Sequence, residues 1–314
     1  MTMMTNDSIG IDVSKDSLDV HRLSDGGTAT FSNNLRGFRA LSTWLGHDLP
    51  ARVVFEATGP YHRNFERTFS GELPLVKVNP LQARRFAQAC GTRVKTDAVD
   101  ARMLASFGGA LTLEPDHPVA GEPFDLRELF NARTGLIKDR TRLLNRLQTQ
   151  TLALVKRQTK ARIDQLTRQL KALQDDINER LQDCPDRARA NTILRSIPGI
   201  GEVAASTILI EMPEIGTLRK KKAASLTGLA PMTQQSGRWQ GKARIQGGRK
   251  PLRDALYMPA LVATEHNPDL RDKYKAMLDQ GKPKKVALTA IMRKLIELAN
   301  TLVKADREWL QNGT

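Results

Sequence analysis

The 314-residue chain contains only two cysteines, Cys90 and Cys184, far apart and with no other Cys or His at ligand spacing around them. That excludes a disulfide framework and a cysteine-based zinc site, and leaves the two thiols buried or idle. No stretch reaches the run of about eighteen apolar residues that a membrane helix needs. The first residues, Met1 to Ser8, are polar and lack a basic segment followed by an apolar one, so no secretory signal is expected. A soluble, cytoplasmic protein with no membrane partner is predicted. Tyrosine is scarce as well, with only Tyr61, Tyr257 and Tyr274, which leaves few candidates for a tyrosine nucleophile.

What is present is positive charge, unevenly placed. The net charge is +15, yet residues 1 to 120 hold 13 basic and 13 acidic side chains, so the whole excess lies beyond them. Arg219, Lys220, Lys221, Lys222, Arg238, Lys242, Arg244, Arg249 and Lys250 fall in one segment that has no acid. Such a segment repels itself unless phosphates neutralise it, and it points to nucleic acid.

The chain length suits two or three units. Period-two apolar patterns predict strands over Ser8 to Val13, Ser17 to Leu23, Thr28 to Ser32, Arg52 to Phe55 and Leu75 to Val78. Helical spacing predicts helices over Leu35 to Leu45, Tyr61 to Phe69, Leu81 to Ala89 and Ala98 to Phe107, which gives the order βββαβαβα. From Asp125 to Cys184, Leu143, Leu147, Leu154, Ile163, Leu166, Leu170, Leu173, Ile177 and Leu181 recur at three- and four-residue steps, as a helical hairpin or coiled coil requires. Three units are therefore expected: residues 1–124, an arm over 125–185, and a mostly helical unit over 186–314.

Two groups of residues carry chemistry. Asp12 ends the apolar strand Ile9-Gly10-Ile11, Glu56 ends Val53-Val54-Phe55, and Asp97 and Asp100 lie three apart at the start of a helix. Acids at neighbouring strand tips repel unless a cation lies between them, and an all-oxygen donor set suits Mg2+ or Mn2+. On a βββαβαβα frame this arrangement resembles the ribonuclease H and RuvC-like nuclease fold. The second group starts at Ser196-Ile197-Pro198-Gly199-Ile200-Gly201, which resembles a helix-hairpin-helix element offering backbone N–H groups, those of Gly199 and Gly201 included, to a phosphate. It continues through Gly228-Leu229-Ala230-Pro231 to Ser236-Gly237 in the basic loop over residues 233–248.

In this order the motifs Gly10-Ile11-Asp12-Val13-Ser14-Lys15, Glu56-Ala57-Thr58-Gly59, Asn79-Pro80, Lys95-Thr96-Asp97-Ala98-Val99-Asp100-Ala101-Arg102, Ile197-Pro198-Gly199-Ile200-Gly201, Gly228-Leu229-Ala230-Pro231 and Ser236-Gly237 resemble the transposases of insertion-sequence family one-hundred-and-ten, relatives of the Piv invertase. The resemblance covers nearly the whole chain. It implies a RuvC-like domain with a DEDD set at Asp12, Glu56, Asp97 and Asp100, and a transposase domain whose nucleophile is Ser236. It further implies strand exchange through a serine-DNA intermediate, guided by a bridge RNA to target and donor DNA, with association to the nucleoid during action. The arm suggests a homo-oligomer, dimer or tetramer. No histidine stands near Ser236 in the sequence, so the metal site is the natural helper of a weak hydroxyl nucleophile, met across protomers. A metal-dependent, structure-selective nuclease that only cuts is the main alternative, with Tyr61 the rival nucleophile nearest the acids. A catalytically silent architectural protein is the third.

Overall fold

In a computed structural model, residues 7–46, 48–57, 59–91, 97–116, 122–233, 235–236, 239–241 and 243–310 are described; for Asp97, Ala98, Glu122, Pro123, Lys220, Trp239 and Gln240 this holds for the backbone alone. Alternation of apolar and polar residues sets up Ser8–Val13 (β1), Ser17–Arg22 (β2) and Thr28–Ser32 (β3) as an antiparallel meander. The turn between β2 and β3 is closed by Asp25, whose Oδ1 accepts from the Gly27 N–H at 2.7 Å. Leu35–Leu45 (α1) then begins at Asn34, whose side chain accepts from the N–H groups of Arg36 and Gly37, as an N-cap should.

Arg52–Glu56 (β4) and Leu75–Val78 (β5) complete a five-stranded sheet in the order β3-β2-β1-β4-β5, with β1, β4 and β5 parallel. His62–Phe69 (α2) crosses between β4 and β5, and Pro80–Ala89 (α3) and Asp97–Ala110 (α4) follow. The two faces of the sheet carry different cores. Ile9, Ile11, Val13, Val53 and Phe55 point to α1 and α2, where Phe38, Phe65 and Phe69 form an edge-on aromatic cluster. Val54, Val76 and Val78 point the other way, onto Ala83, Leu104 and Phe107 of α3 and α4. These elements follow the predicted βββαβαβα order, its last helical part being the two helices α3 and α4, around a mixed sheet, and the element ends differ from expectation by only a few residues.

The chain divides into two compact units, Met1–Phe124 and Asp125–Thr314. The second is mostly helical. Glu122–Thr149 (α5) and Ala153–Gln182 (α6) are its long helices, and Leu126 and Phe130 of α5 pack on Ile177 and Leu181 of α6. Leu154, expected in the seam, is exposed, because at about 100° per residue it falls on the far side of α6 from the seam residues Thr159, Ile163, Leu166 and Leu170. Pro185–Ser196 (α7), Glu202–Glu211 (α8) and Lys220–Leu226 (α9) follow. The segment predicted as a basic loop carries four two-residue strands: Pro231–Met232 (β6), Gln235–Ser236 (β7), Trp239–Gln240 (β8) and Arg244–Ile245 (β9). Lys250–Ala255 (α10), Tyr257–His266 (α11), Pro268–Asp279 (α12) and Lys284–Lys304 (α13) close the chain.

The core of this unit centres on α13, whose Leu288, Ile291, Met292, Leu295, Ile296, Ala299 and Leu302 are buried at helical spacing. Asn300, buried among them, accepts from the Gly216 N–H at 2.9 Å and donates to the Leu218 carbonyl at 2.8 Å, so the segment before α9 is pinned. Both cysteines are free. No helix among the described residues is long and apolar enough to cross a membrane.

Candidate active site

Parallel pairing decides where the first two acids fall. Ile11 of β1 is registered with Phe55 of β4, so the next residues, Asp12, one before the end of β1, and Glu56, the last of β4, lie at the same end of the sheet and on the same face. Both side chains are half-buried. The face is the one that α4 covers. Gly10, two residues before Asp12, leaves no room for a side chain, since a Cβ there would overlap the Ala101 carbonyl oxygen and the Ala105 nitrogen. A Cβ on Gly108 would meet Ser8 Oγ and Val54 Cγ2. Helix α4 therefore runs antiparallel to β1, its late turns over Ser8 and its first turn, with Asp97 and Asp100, toward the end that holds Asp12. The side chain of Asp97 lies outside the described residues. Among the described residues no three His, Cys, Asp or Glu side chains are close enough together to ligate one ion.

Replacing Gly10 by Ala should therefore dislodge α4. Overpacking of this kind costs about 1–3 kcal/mol or more, here against backbone atoms that have no rotamer to yield. A lowered midpoint of thermal unfolding together with lost strand cleavage is expected, and an unchanged midpoint would show that the helix does not depend on this close approach.

Two residues near the acids went unnoticed in the sequence. Asp19 of β2 lies directly opposite Asp12, and its Oδ1 accepts from Thr30 Oγ on β3 at 2.6 Å, which turns the carboxylate toward the far strand. Asn33 donates to the Ser14 carbonyl at 2.8 Å and to the Tyr61 carbonyl at 3.1 Å. It thereby ties the turn that follows Asp12 to the segment that follows Glu56. Only the long-range fold makes that link visible. Ser14 itself closes the β1–β2 turn, with its Oγ accepting from the Ser17 N–H at 2.9 Å. His62 lies just beyond Tyr61 and packs on Phe55; burial pushes its pKa down, against the raising influence of Glu66. It is held neutral at pH 7.

The second group lies in the helical unit. Ser236 is exposed on β7, registered with Trp239 of β8, and β6 pairs with β9 below it. Gly237, Arg238 and Lys242 lie outside the described residues. The base of this ladder is tightly fixed. Gly228, at φ 67°, and Gly248, at φ 66°, cross so closely that a Cβ on either would overlap the other strand's backbone. The Arg249 N–H donates to the Leu226 carbonyl at 2.7 Å, and Arg253 Nη1 donates to the Gly247 carbonyl at 2.7 Å.

Arg249, expected to face phosphate, has its guanidinium engaged inside the protein. It donates to Glu214 at 2.8 and 2.6 Å and to the Glu211 carbonyl at 2.6 Å. Burial is the largest single influence on the Glu214 carboxyl and would raise it, but the hydrogen bonds and charge of Arg249, with a backbone N–H and the charge of Arg127, together outweigh burial and hold the group below the usual carboxylate range. The pair thus supports the ladder above that range and is lost as pH falls through the depressed value. Lys250 pairs with Asp254. Arg219, Lys221, Lys222 and Arg244 are exposed.

Gly199 turns between α7 and α8 at φ 105°, and a Cβ there would overlap the Pro259 carbonyl and crowd Ala263 of α11. Gly201 is open and starts α8. The first turn of α8 also holds Glu202, which accepts a hydrogen bond from Asn178. Of the tyrosines, Tyr274 packs against the helical core, whereas Tyr61 and Tyr257 are exposed.

Comparison with known proteins identifies the family. Residues 9–155 match a DEDD transposase family model of the IS110 type, and residues 191–275 match the transposase IS116/IS110/IS902 family. The pilin gene-inverting proteins of Moraxella bovis and Moraxella lacunata are each 30% identical over 97% of this chain and 98% of their own length. An uncharacterized 43.6 kDa protein of insertion element IS110 from Streptomyces coelicolor is 28% identical over 50% of the chain and 38% of its own length. The two family models are of transposases, and the Moraxella relatives are named for inverting a pilin gene. The chain belongs to the IS110 family of transposases and DNA-inverting recombinases, and is an enzyme acting on DNA.

Proposed function

We propose that this protein cuts and rejoins DNA strands through a covalent serine-DNA intermediate at Ser236, helped by a divalent ion held by Asp12, Glu56, Asp97 and Asp100. The observation that carries the reading is the convergence of Asp12, Glu56 and the first turn of α4 on one face at one sheet edge. The first unit is read as a RuvC-like, ribonuclease H-like domain; residues 125–185 serve as an arm and residues 186–314 as the transposase domain. Carboxylate oxygens are the donors that Mg2+ or Mn2+ prefers. Such an ion, when bound, activates an attacking oxygen and stabilises a leaving one.

In this reading the Ser236 hydroxyl attacks the scissile phosphorus. One strand leaves with a free hydroxyl, and its phosphodiester is replaced by a phosphoserine ester. A hydroxyl from a second strand then reverses the step on the new partner. The exposure of Ser236 on a short ladder with a fixed base supports this use, since the hydroxyl can enter a DNA groove while its anchor stays put. The acids of one protomer serve the serine of another within a homo-oligomer, and a bridge RNA pairs with target and donor DNA. Residues Arg219, Lys220, Lys221, Lys222, Arg238, Lys242, Arg244, Arg249 and Lys250, with the Gly199 to Gly201 turn, surround the nucleic acid. Within that group the Arg249 guanidinium acts indirectly, by holding the ladder base.

The test is to trap the adduct under denaturing conditions, digest it, and identify the nucleotide-bearing peptide by mass spectrometry. The expected peptide contains Ser236. An adduct on Tyr61, Tyr257 or Tyr274 would replace the nucleophile, and cleavage with no adduct would turn the protein into a nuclease that only cuts. Sequencing of RNA that copurifies from the native locus tests the guide: a discrete noncoding species is expected, and its absence would favour direct base readout.

A further inference from the structure

The shaft of the paired helices α5 and α6, residues 131–171, carries a net +9 of the molecule's +15. Residues 131–171 contain 11 basic and 2 acidic side chains, whereas residues 172–183 at the base of α6 contain 1 basic and 4 acidic ones. Few of the shaft charges are spent internally. Arg142 pairs with Asp139 and Lys171 with Asp175; at the base Arg180 pairs with Asp176 and Asp125.

The charges are also arranged. At about 100° per residue, Lys156, Arg157, Lys160, Arg168 and Lys171 all fall within about 120° of arc on α6, and all five are exposed; one exposed acid, Asp164, lies among them, so the face is five bases to one acid. The buried or half-buried seam residues Thr159, Ile163, Leu166 and Leu170 occupy a different side of that helix. On α5, Lys138, Arg142 and Arg146 stack at four-residue steps on an exposed face. Like charges at this spacing destabilise a helix. A surface built only for solubility mixes both signs instead.

We propose that the α6 stripe from Lys156 to Lys171 lies along the phosphate backbone of duplex DNA and makes the arm a DNA-binding element, separate from the basic segment around Ser236. The inference rests on the reading of the protein as one that handles DNA. The stripe is about 22 Å long at 1.5 Å per residue. Duplex DNA carries about one charge per 1.7 Å of axis, so a straight helical edge meets a dense row of counter-charges with no deformation of either partner. Recognition is by charge and shape and carries no sequence information.

The experiment uses the full chain carrying Ser236→Ala, without divalent ions, so that binding is read apart from chemistry and its outcome does not depend on which residue is the nucleophile. A variant with Lys156→Gln, Arg157→Gln, Lys160→Gln and Arg168→Gln is compared with one carrying Lys156→Arg and Lys160→Arg. Glutamine is a good helix former, and far-UV circular dichroism with thermal unfolding checks that the helices persist. Affinity for a 40-base-pair DNA duplex is measured across salt concentrations, and the solution mass is measured in parallel. Each phosphate contact contributes about 0.9 to the slope of log affinity against log salt. The glutamine variant should therefore lose about 3 to 4 from that slope and bind at least about tenfold more weakly at low salt, and the arginine variant should bind like the parent. Unchanged duplex affinity with intact helices overturns the proposal. So does a loss confined to structured RNA, which would make the arm an RNA holder, or a change in oligomer mass with DNA affinity retained.

Discussion

Asp12→Asn is expected to reduce strand cleavage by about a thousandfold or more, the equivalent of about 4 kcal/mol in the barrier. The loss should come without loss of fold. Asp12 sits opposite Asp19 and beside the Glu56 position on the neighbouring strand. Removing one charge from a row of carboxylates relieves repulsion worth about 0.2–1 kcal/mol between directly opposed strand residues. Thermal unfolding of the metal-free variant should therefore match or slightly exceed that of the parent. If Asp12 were a structural strand-end acid, the same substitution would lower stability and leave cleavage largely intact. Addition of Mg2+ or Mn2+ separates the cases further. An ion that binds only the folded protein raises its stability with concentration by linkage, so the parent should gain and the variant should not. Calorimetry of metal-free protein during titration with Mn2+ reads this directly, and equal gains for both proteins would remove Asp12 from the ion site.

Most of this edge could be read from local sequence pattern. Period-two alternation and helical spacing are local signals, and they give the strands, the helices and their order. An acid at the end of an apolar strand is conspicuous for the same reason. What the pattern cannot supply is pairing between distant segments. The register that aligns Asp12 with Glu56, and the cross-strand position of Asp19, depend on which strands become neighbours. Gly10 reads locally as a gap that lets something come close, and only the packed helix identifies the Ala101 carbonyl as what comes close. Arg249 shows the limit of counting charge. It stands in a segment of nine basic residues and no acid, yet Glu214 reaches it from the segment between α8 and α9. Leu154 shows the limit of counting leucines, since its nine-residue step to Ile163 is about two and a half turns and turns it away from the seam.

The same crossing that fixes the Ser236 ladder gives the second large effect. Gly228→Ala places a Cβ on a residue at φ 67°, where an L side chain is strained, and against the Gly247 carbonyl and the Arg253 guanidinium. The strain alone is about 1 kcal/mol or more, and overpacking adds about 1–3 kcal/mol. Neither the Gly247 carbonyl nor the Gly248 backbone can rotate away without breaking the bonds from Arg253 to Gly247 and from Arg249 to Leu226. The ladder is too short to hold itself, since β6 to β9 are two residues each and isolated two-stranded hairpins are marginal in water. Its position comes from the crossing beneath it. Gly228→Ala should therefore abolish the trapped protein-DNA adduct as fully as Ser236→Ala does, although Ser236 is intact. The two variants differ in stability: Ser236 is exposed and its loss should leave the unfolding midpoint unchanged, whereas Gly228→Ala should lower it by several degrees. Gly228→Ala protein that retained full adduct formation would show that the serine finds its phosphate without a fixed base.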